Sequence, residues 1–275
     1  MVLMGDVWDR TTRFLSDHAG ATMALALPLV FLPTVLQALL VPAAAAWPAM
    51  GYALSLLNLL LSIVSLWGQL AVTALALMAV PAPGPARRLA GQRLLPALGI
   101  VILLLAVLSL TFVPAVAILS AKGADLSALA EQGMAAMPEE AAGPFGLYSL
   151  IWSLLCLFVL ARLLVLFPVV LEERRGLRAF GRSWRLTHGL SWRLFGTLLL
   201  FLIVASVAVM AVQSVAGTVL ALLAGGEGPF APANIVTPIL VAAVSTAFTV
   251  LALVFTARLY LLVRLRAEQR AAPAA

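Results

Sequence analysis

Six apolar stretches dominate this sequence, and each is long enough to cross a lipid bilayer as a helix. They cover residues 21–41, 52–80, 97–120, 145–170, 194–223 and 236–263. A helix of about 20 apolar residues spans the hydrocarbon core of a membrane. The sequence therefore predicts an all-α, polytopic integral membrane protein with six transmembrane helices, built as a single membrane domain over residues 1–275.

The composition favours the same class of protein. Of the 275 residues, 64% are hydrophobic and 10% are charged, whereas a soluble domain has about 25% charged residues. So few charges cannot cover a water-facing surface, and much of the surface must face lipid. The net charge of +6 does not indicate nucleic-acid binding, because the arginines lie beside the spans, where anionic lipid headgroups attract them.

The positions of the arginines predict the orientation. They lie before the first span, between the second and third, between the fourth and fifth, and after the sixth, whereas Lys122 is the one basic residue of the alternate loops. The positive-inside rule then places both termini in the cytoplasm. One lysine against sixteen arginines, with abundant alanine, is typical of a GC-rich bacterial genome. We therefore expect a multi-pass protein of the bacterial inner membrane.

Three segments on the arginine-rich side predict amphipathic helices that lie in the membrane interface. Residues 7–18 and 175–188 place apolar side chains on one helical face and charged side chains on the other, and residues 86–95 do so more weakly. Helices of this kind lie at the level of the headgroups. The residues that we expect to contact anionic headgroups are Arg178, Arg182, Trp184 and Arg185.

The order of interfacial helix, span and span occurs three times, which suggests a threefold parallel repeat. Its units would be roughly residues 1–83, 84–174 and 175–275. The sequences Ala161-Arg162-Leu163 and Ala257-Arg258-Leu259 also match between the fourth and sixth spans. The alternative is coincidence, since arginine is common at cytoplasmic span ends and apolar sequence is degenerate.

A polar stripe follows one face of the second span. Its members are Ser55, Asn58, Ser62, Ser65, Gln69 and Thr73. Spacings of three and four residues place them on one side of a helix. One interpretation is a polar pathway lined by Asn58, Ser62, Ser65 and Gln69. Spans four to six offer further small or polar residues for it: Ser149, Ser153, Cys156, Ser206, Gln213, Gly217, Ser245, Thr249 and Thr256. The other is close packing between helices, which small and hydroxylated residues favour.

Two arginines, Arg162 and Arg258, lie within predicted spans, and Glu172 and Glu173 lie at a similar depth. Ionisable residues inside a membrane often mark a functional site, so these four form a candidate charge or headgroup site. The alternative is that the arginines extend toward the interface. The glutamates could pair with Arg258 across the bundle, or locally with the arginines at 174 and 175.

No pattern in the sequence indicates catalysis. The two histidines, His18 and His188, lie far apart in sequence, and the single cysteine, Cys156, lies in an apolar run. A metal site needs three or four grouped ligands, and the sequence groups none. We therefore expect no enzymatic activity, no metal and no cofactor.

One stretch of about forty residues resembles a known family. It contains Arg162, Pro168, Glu172, Ala179, Ser183, Leu186 and Gly189. In this pattern the chain resembles the bacterial membrane domain of glycerophosphoryl diester phosphodiesterases. The resemblance implies a membrane part that stands beside a separate catalytic domain. Because the chain ends at Ala275, soon after the last span, we expect a stand-alone form without hydrolase activity.

These observations leave two function classes. The first is a non-catalytic membrane scaffold or accessory protein that contacts anionic lipid headgroups. The second is a transporter or lipid-handling protein with a polar pathway along the second span. The expected partners are the lipid bilayer and its anionic headgroups, with no nucleic acid, while a protein partner or a homo-oligomer stays open.

Overall fold

The computed structural model describes residues 4–125, 127–129, 133–173, 179–224 and 231–271, and these ranges contain helices and no strand. Six helical segments within them are long and apolar enough to cross a membrane. We call them spans one to six: Ala19–Ala44, Gly51–Leu77, Pro83–Ala121, Glu139–Glu173, Ser191–Leu220 and Pro232–Gln269. The prediction of an all-α fold with six helices long and apolar enough to span a membrane is confirmed for the described residues.

Several spans are divided into shorter helices. The α-helices, in chain order, are Met4–Asp17, Ala19–Ala26, Leu32–Ala46, Gly51–Leu77, Pro83–Leu110, Val113–Ala121, Glu139–Arg162, Leu166–Glu173, Ala179–Leu186, Ser191–Ala224 and Pro232–Ala271. A π-helix over Leu27–Phe31 joins the two halves of span one, and short 3₁₀ turns occupy Pro48–Met50 and Gly133–Ala136. The helix Met4–Asp17 is called the N-terminal helix below, and Ala179–Leu186 the linker helix.

Span six is the central element of the bundle. It packs against spans one, two and five, and also against the second helix of span four, the N-terminal helix and the linker helix. Val254, Ala257, Leu259 and Tyr260 are completely buried along it. Residues on several sides of this helix are therefore covered by protein, and the two short helices attach to its arginine-rich end.

The N-terminal helix buries the apolar face that its sequence predicts. Val7 and Thr11 are fully buried and Phe14 is 4% exposed, whereas the charged residues of this helix face outward. The apolar face contacts span six: the ring of Trp8 lies 6.2 Å from that of Phe255. Burial of apolar area against a neighbouring helix stabilises such a short helix. Its apolar side therefore anchors it to protein.

The expected interfacial helix over residues 86–95 is not a separate element, and this part of the prediction is wrong. These residues belong to one continuous helix, Pro83–Leu110, which also forms the first part of span three. Ala86 and Ala90 of this segment are fully buried in the core, so the segment packs against protein as the start of a span. Pro96 removes one backbone hydrogen bond, which a membrane helix tolerates. The threefold repeat stays a prediction, and its second unit lacks a separate leading helix.

Spans one and two cross at very close range. Gly68 of span two faces the π-helix of span one, and a Cβ added to Gly68 would lie 2.4 Å from the carbonyl oxygen of Leu29. Pro33 has no N–H, so it cannot bond to that carbonyl four residues earlier. Small residues allow this kind of backbone approach between membrane helices. Only glycine fits at position 68.

We predict that Gly68→Ala destabilises the protein by about 1–3 kcal/mol, because the added methyl group would force spans one and two apart. The measurement is the midpoint of thermal unfolding in detergent. The matched control is Gly99→Ala in span three, where an added Cβ meets nothing within 4 Å. Equal midpoints for the two variants would contradict the close crossing.

Candidate functional site

Span four is broken after Arg162. The helix Glu139–Arg162 ends there, and a second helix, Leu166–Glu173, follows. Pro168 explains the break, because its ring lacks an N–H and crowds the carbonyl four residues earlier. The backbone N–H of Leu166 donates to the carbonyl of Leu163 at 2.9 Å rather than to that of Arg162. The carbonyl of Arg162 is therefore left without its helical partner.

The region after the break supplies that carbonyl with hydroxyl groups. Ser183 Oγ donates to the Arg162 carbonyl at 2.9 Å, and Thr187 Oγ1 lies 3.1 Å from the same oxygen. Both residues are fully buried. Gly189, at φ +87°, ends this turn in a conformation that favours glycine. The residues of the sequence pattern around Arg162, Pro168 and Ser183 thus form one packed unit.

The side chain of Arg162 stacks on aromatic rings. Its guanidinium carbon lies 4.7 Å from the centre of the Trp184 ring and 5.6 Å from that of Phe158. The Nε and Nη1 atoms of Arg162 are buried and make no hydrogen bond to any described residue. Cation–π contacts hold the guanidinium in place.

The two glutamates bind partners on span six and the linker helix. Glu172 accepts hydrogen bonds from Arg264 and, at 3.2 Å, from the hydroxyl of Tyr260. Glu173 lies 3.3 Å from that hydroxyl and pairs with Nε of Arg182 at 3.1 Å. Buried Tyr260 therefore bridges the two carboxylates, and this cluster ties span four to span six.

Of the two pairings that the sequence left open for the glutamates, the one with Arg258 is not formed. Arg258 instead lies over the ring of Phe14, 4.3 Å from its centre. Tyr260 and Arg264, four residues apart, share one face of span six, and Arg258 is turned away from it. The arginines at 174 and 175 lie outside the described residues.

The expected headgroup contacts divide into three groups. Arg185 is exposed, and Trp184 is 41% exposed beside Arg162. Arg182 is committed to Glu173, with 28% of its side chain exposed. Arg178 lies outside the described residues. Among the described residues that were expected to contact headgroups, two thus have exposed surface for them. These are Arg185 and Trp184, which stacks on Arg162.

The polar stripe on span two is divided between two environments. In its outer part, Nε2 of Gln37 in span one donates to Ser62 Oγ at 2.8 Å and to the Asn58 carbonyl at 3.3 Å. In its inner part Ser65 is buried, and Gln69 donates to it at 3.4 Å. The sequence analysis missed Gln37, although a lone amide in an apolar span could have signalled an interhelical hydrogen bond.

Three cavities adjoin one another around spans five and six. The first polar cavity, of about 480 Å³, includes Gln69, Ser206, Ser245 and Thr249 in its lining. The second polar cavity, of about 210 Å³, shares Ser245 and includes Thr34, Gln213 and Thr237. The apolar cavity, of about 350 Å³, lies between spans five and six next to Trp8 and Leu164. Ser206, Ser245 and Thr249 therefore lie in one cavity with a single member of the stripe, Gln69, whereas Gln213 lines the second polar cavity.

Comparisons with protein-family models, with curated proteins and with solved structures found no match to this chain. Over the ranges that the structure describes, no group of three or more His, Cys, Asp or Glu side chains is placed to hold a metal ion.

We predict that Ser183→Ala lowers the stability by about 1 kcal/mol, and that Ser183→Ala with Thr187→Val lowers it by about 2–3 kcal/mol, because the buried Arg162 carbonyl then loses its partners. Thermal unfolding in detergent measures both. The matched control is Ser153→Ala, an exposed serine that donates within its own helix to Leu150. A double variant as stable as the control would show that the carbonyl does not need these hydroxyls.

Proposed function

We propose that this chain is a non-catalytic protein of a bacterial inner membrane, with both termini in the cytoplasm, and that it acts as a scaffold or accessory protein that holds anionic lipid headgroups. The observation that carries the proposal is the Arg162 guanidinium. It lies within a span, stacked on Trp184, with two donor nitrogens that have no hydrogen-bond partner among the described residues.

The energetics of Arg162 favour an anionic ligand. A buried donor without an acceptor costs about 1–3 kcal/mol, and a positive charge inside a membrane span is also unfavourable. A phosphate oxygen relieves both costs, because guanidinium binds phosphate with strong charge-assisted hydrogen bonds. The carboxylates nearest in sequence, Glu172 and Glu173, bind Arg264, Tyr260 and Arg182 instead.

The surroundings of Arg162 add to the attraction. Exposed Arg185 follows Trp184 directly in the linker helix. Arginines at the surface of an anionic leaflet attract it by about 1 kcal/mol each. The N-terminal helix exposes Arg10 and Arg13 at the same end of the bundle. In this proposal the N-terminal and linker helices lie at the level of the cytoplasmic headgroups.

The resemblance around Arg162, Pro168 and Ser183 is consistent with this proposal. Stand-alone relatives in the family that the sequence resembles consist of a membrane part, and the proposal assigns no hydrolase activity to this chain. Its role would be to hold lipid headgroups at the cytoplasmic face. A protein partner would be held there too, either through the headgroups or beside them.

We predict that Arg162→Gln with Arg185→Gln weakens the binding of phosphatidylglycerol and cardiolipin about 30-fold, since two charge contacts of about 1 kcal/mol each are lost. Native mass spectrometry with titrated lipid measures the binding. The control is Lys122→Gln, which removes one positive charge from the loop between spans three and four. Binding that is equal in the double variant and in the control would refute the headgroup site.

A second function, transport or lipid handling, is favoured by one observation. Gln69 of the polar stripe lies in the first polar cavity together with Ser206, Ser245 and Thr249. Transporters commonly bind their substrates between helices near the middle of the membrane. The pathway proposed here runs past Gln69 and Ser245, and Asn58 and Ser62 instead contact span one.

We predict that single cysteines at Gln69, Ser245 and Thr249, in a Cys156→Ser background, react with a membrane-impermeant thiol reagent if this pathway holds water. A cysteine at Leu60, which is 52% exposed on the outer surface of span two, is the control and stays unlabelled, because lipid disfavours the reactive thiolate. Protection of all three cavity positions would contradict a water-filled pathway.

A further inference from the structure

The apolar cavity has a lining that suits a hydrocarbon chain. It lies between the N-terminal helix, the break in span four, and spans five and six. Residues that line it include Trp8, Leu164, Leu194, Phe201, Phe248 and Phe255. Concave sites of several hundred Å³ with aromatic and aliphatic walls are typical of sites for apolar ligands.

The apolar cavity lies next to the first polar cavity. Phe201, Phe248 and Ala252 line both. A ligand could therefore extend from the apolar walls to the amide of Gln69 and the hydroxyl of Ser245. An apolar cavity beside a second cavity with mostly apolar walls and a few amide and hydroxyl groups matches an amphipathic molecule, with its chain at one end and its polar group near Gln69.

The polar half contains hydrogen-bonding groups without charge. Every residue that lines the two cavities is uncharged, and the polar ones are amides and hydroxyls. The Gln69 side chain donates to Ser65, while its carbonyl oxygen accepts no hydrogen bond from a described residue. A phosphate placed here would lose its hydration without gaining a counter-charge. The chemistry therefore matches an uncharged polar group with a hydroxyl.

We propose that the joined cavities bind a neutral lipid, with one hydrocarbon chain against Phe201 and Phe248 and a hydroxyl group that donates to the Gln69 carbonyl. The chemical class is an uncharged glycerolipid such as a diacylglycerol. This inference deepens the second function proposed above by naming its ligand. It does not use Arg162 or Arg185, so the headgroup site can fail while the neutral-lipid site holds, and the reverse.

The test is photocrosslinking of the full chain in detergent with a diacylglycerol that carries a photoreactive acyl chain, followed by peptide mapping. We expect crosslinks to spans five and six, near Phe201 and Phe248. Unlabelled diacylglycerol should compete about tenfold better than phosphatidylglycerol with the same acyl chains, because a charged headgroup finds no counter-charge in the cavity. Equal competition would mean that the cavity takes any acyl chain, and the inference would then be overturned.

Two variants locate the ligand. Ala252→Phe fills the junction of the cavities and should reduce crosslinking about tenfold. Ala106→Phe is its control, since it adds the same bulk to an exposed position of span three. Gln69→Leu should weaken competition by diacylglycerol about fivefold and leave crosslinking by a photoreactive alkane unchanged, because one hydrogen bond is lost.

Gln37→Leu makes the same amide-to-leucine change outside the cavities and serves as the control for Gln69→Leu. Unfolding midpoints separate ligand effects from misfolding. If Ala252→Phe does not fold, the Gln69→Leu comparison decides alone. Equal crosslinking in Ala252→Phe and Ala106→Phe, or equal competition in Gln69→Leu and Gln37→Leu, would overturn the inference. Binding that persists while cysteines in the cavity stay unlabelled would support a dry lipid site and reject only a water-filled pathway.

Discussion

A buried backbone carbonyl needs a hydrogen-bond donor, and the break in span four leaves the carbonyl of Arg162 without its helical partner. Ser183 and Thr187 supply the missing donors. That contact holds the linker helix against span four, and it thereby brings the ring of Trp184 onto the Arg162 guanidinium. The exposed side of the linker helix, with Arg185, follows from the same attachment. The arrangement of this end of the bundle therefore depends on one carbonyl that lacks its helical partner and is bonded by side-chain hydroxyls instead.

Span one meets the same constraint in a different way. Pro33 cannot bond to the carbonyl of Leu29, and the chain forms a π-helix there. Span two has Gly68 at this point. Because glycine has no side chain, the backbones of spans one and two can approach closely there. In span three the helix continues through Pro96, whereas it breaks at residues 111 and 112, just before Pro114, where the hydroxyl of Tyr148 donates to the carbonyl of Thr111. A proline thus reshapes a span where a neighbouring residue, such as Ser183 or Gly68, stabilises the altered backbone.

Sequence periodicity predicts which face of a helix is apolar and which is polar. It does not predict which neighbouring element each face contacts. The six spans could be predicted because hydropathy over about 20 residues is a strong signal. The buried face of the N-terminal helix could be predicted from the spacing of its apolar residues. The partner of Glu172 could not be predicted, because Arg264 is 92 residues away and the pairing depends on how span six is rotated. The polar stripe on span two was predicted as one unit, and the structure divides it for the same reason: Ser62 faces Gln37, and Gln69 faces a cavity.

The break in span four also separates two kinds of chemistry. Arg162, just before it, places a positive charge against aromatic rings, and Leu164, within it, lines the uncharged apolar cavity. Glu172 and Glu173, after it, are neutralised by Arg264 and Arg182. The charges around this break thus lie toward the arginine-rich end, while the adjoining cavities offer amides and hydroxyls. Desolvation penalises a charge in such cavities far more than a hydroxyl. The two proposals therefore place an anionic headgroup and a neutral lipid at different sites, on the two sides of one backbone break.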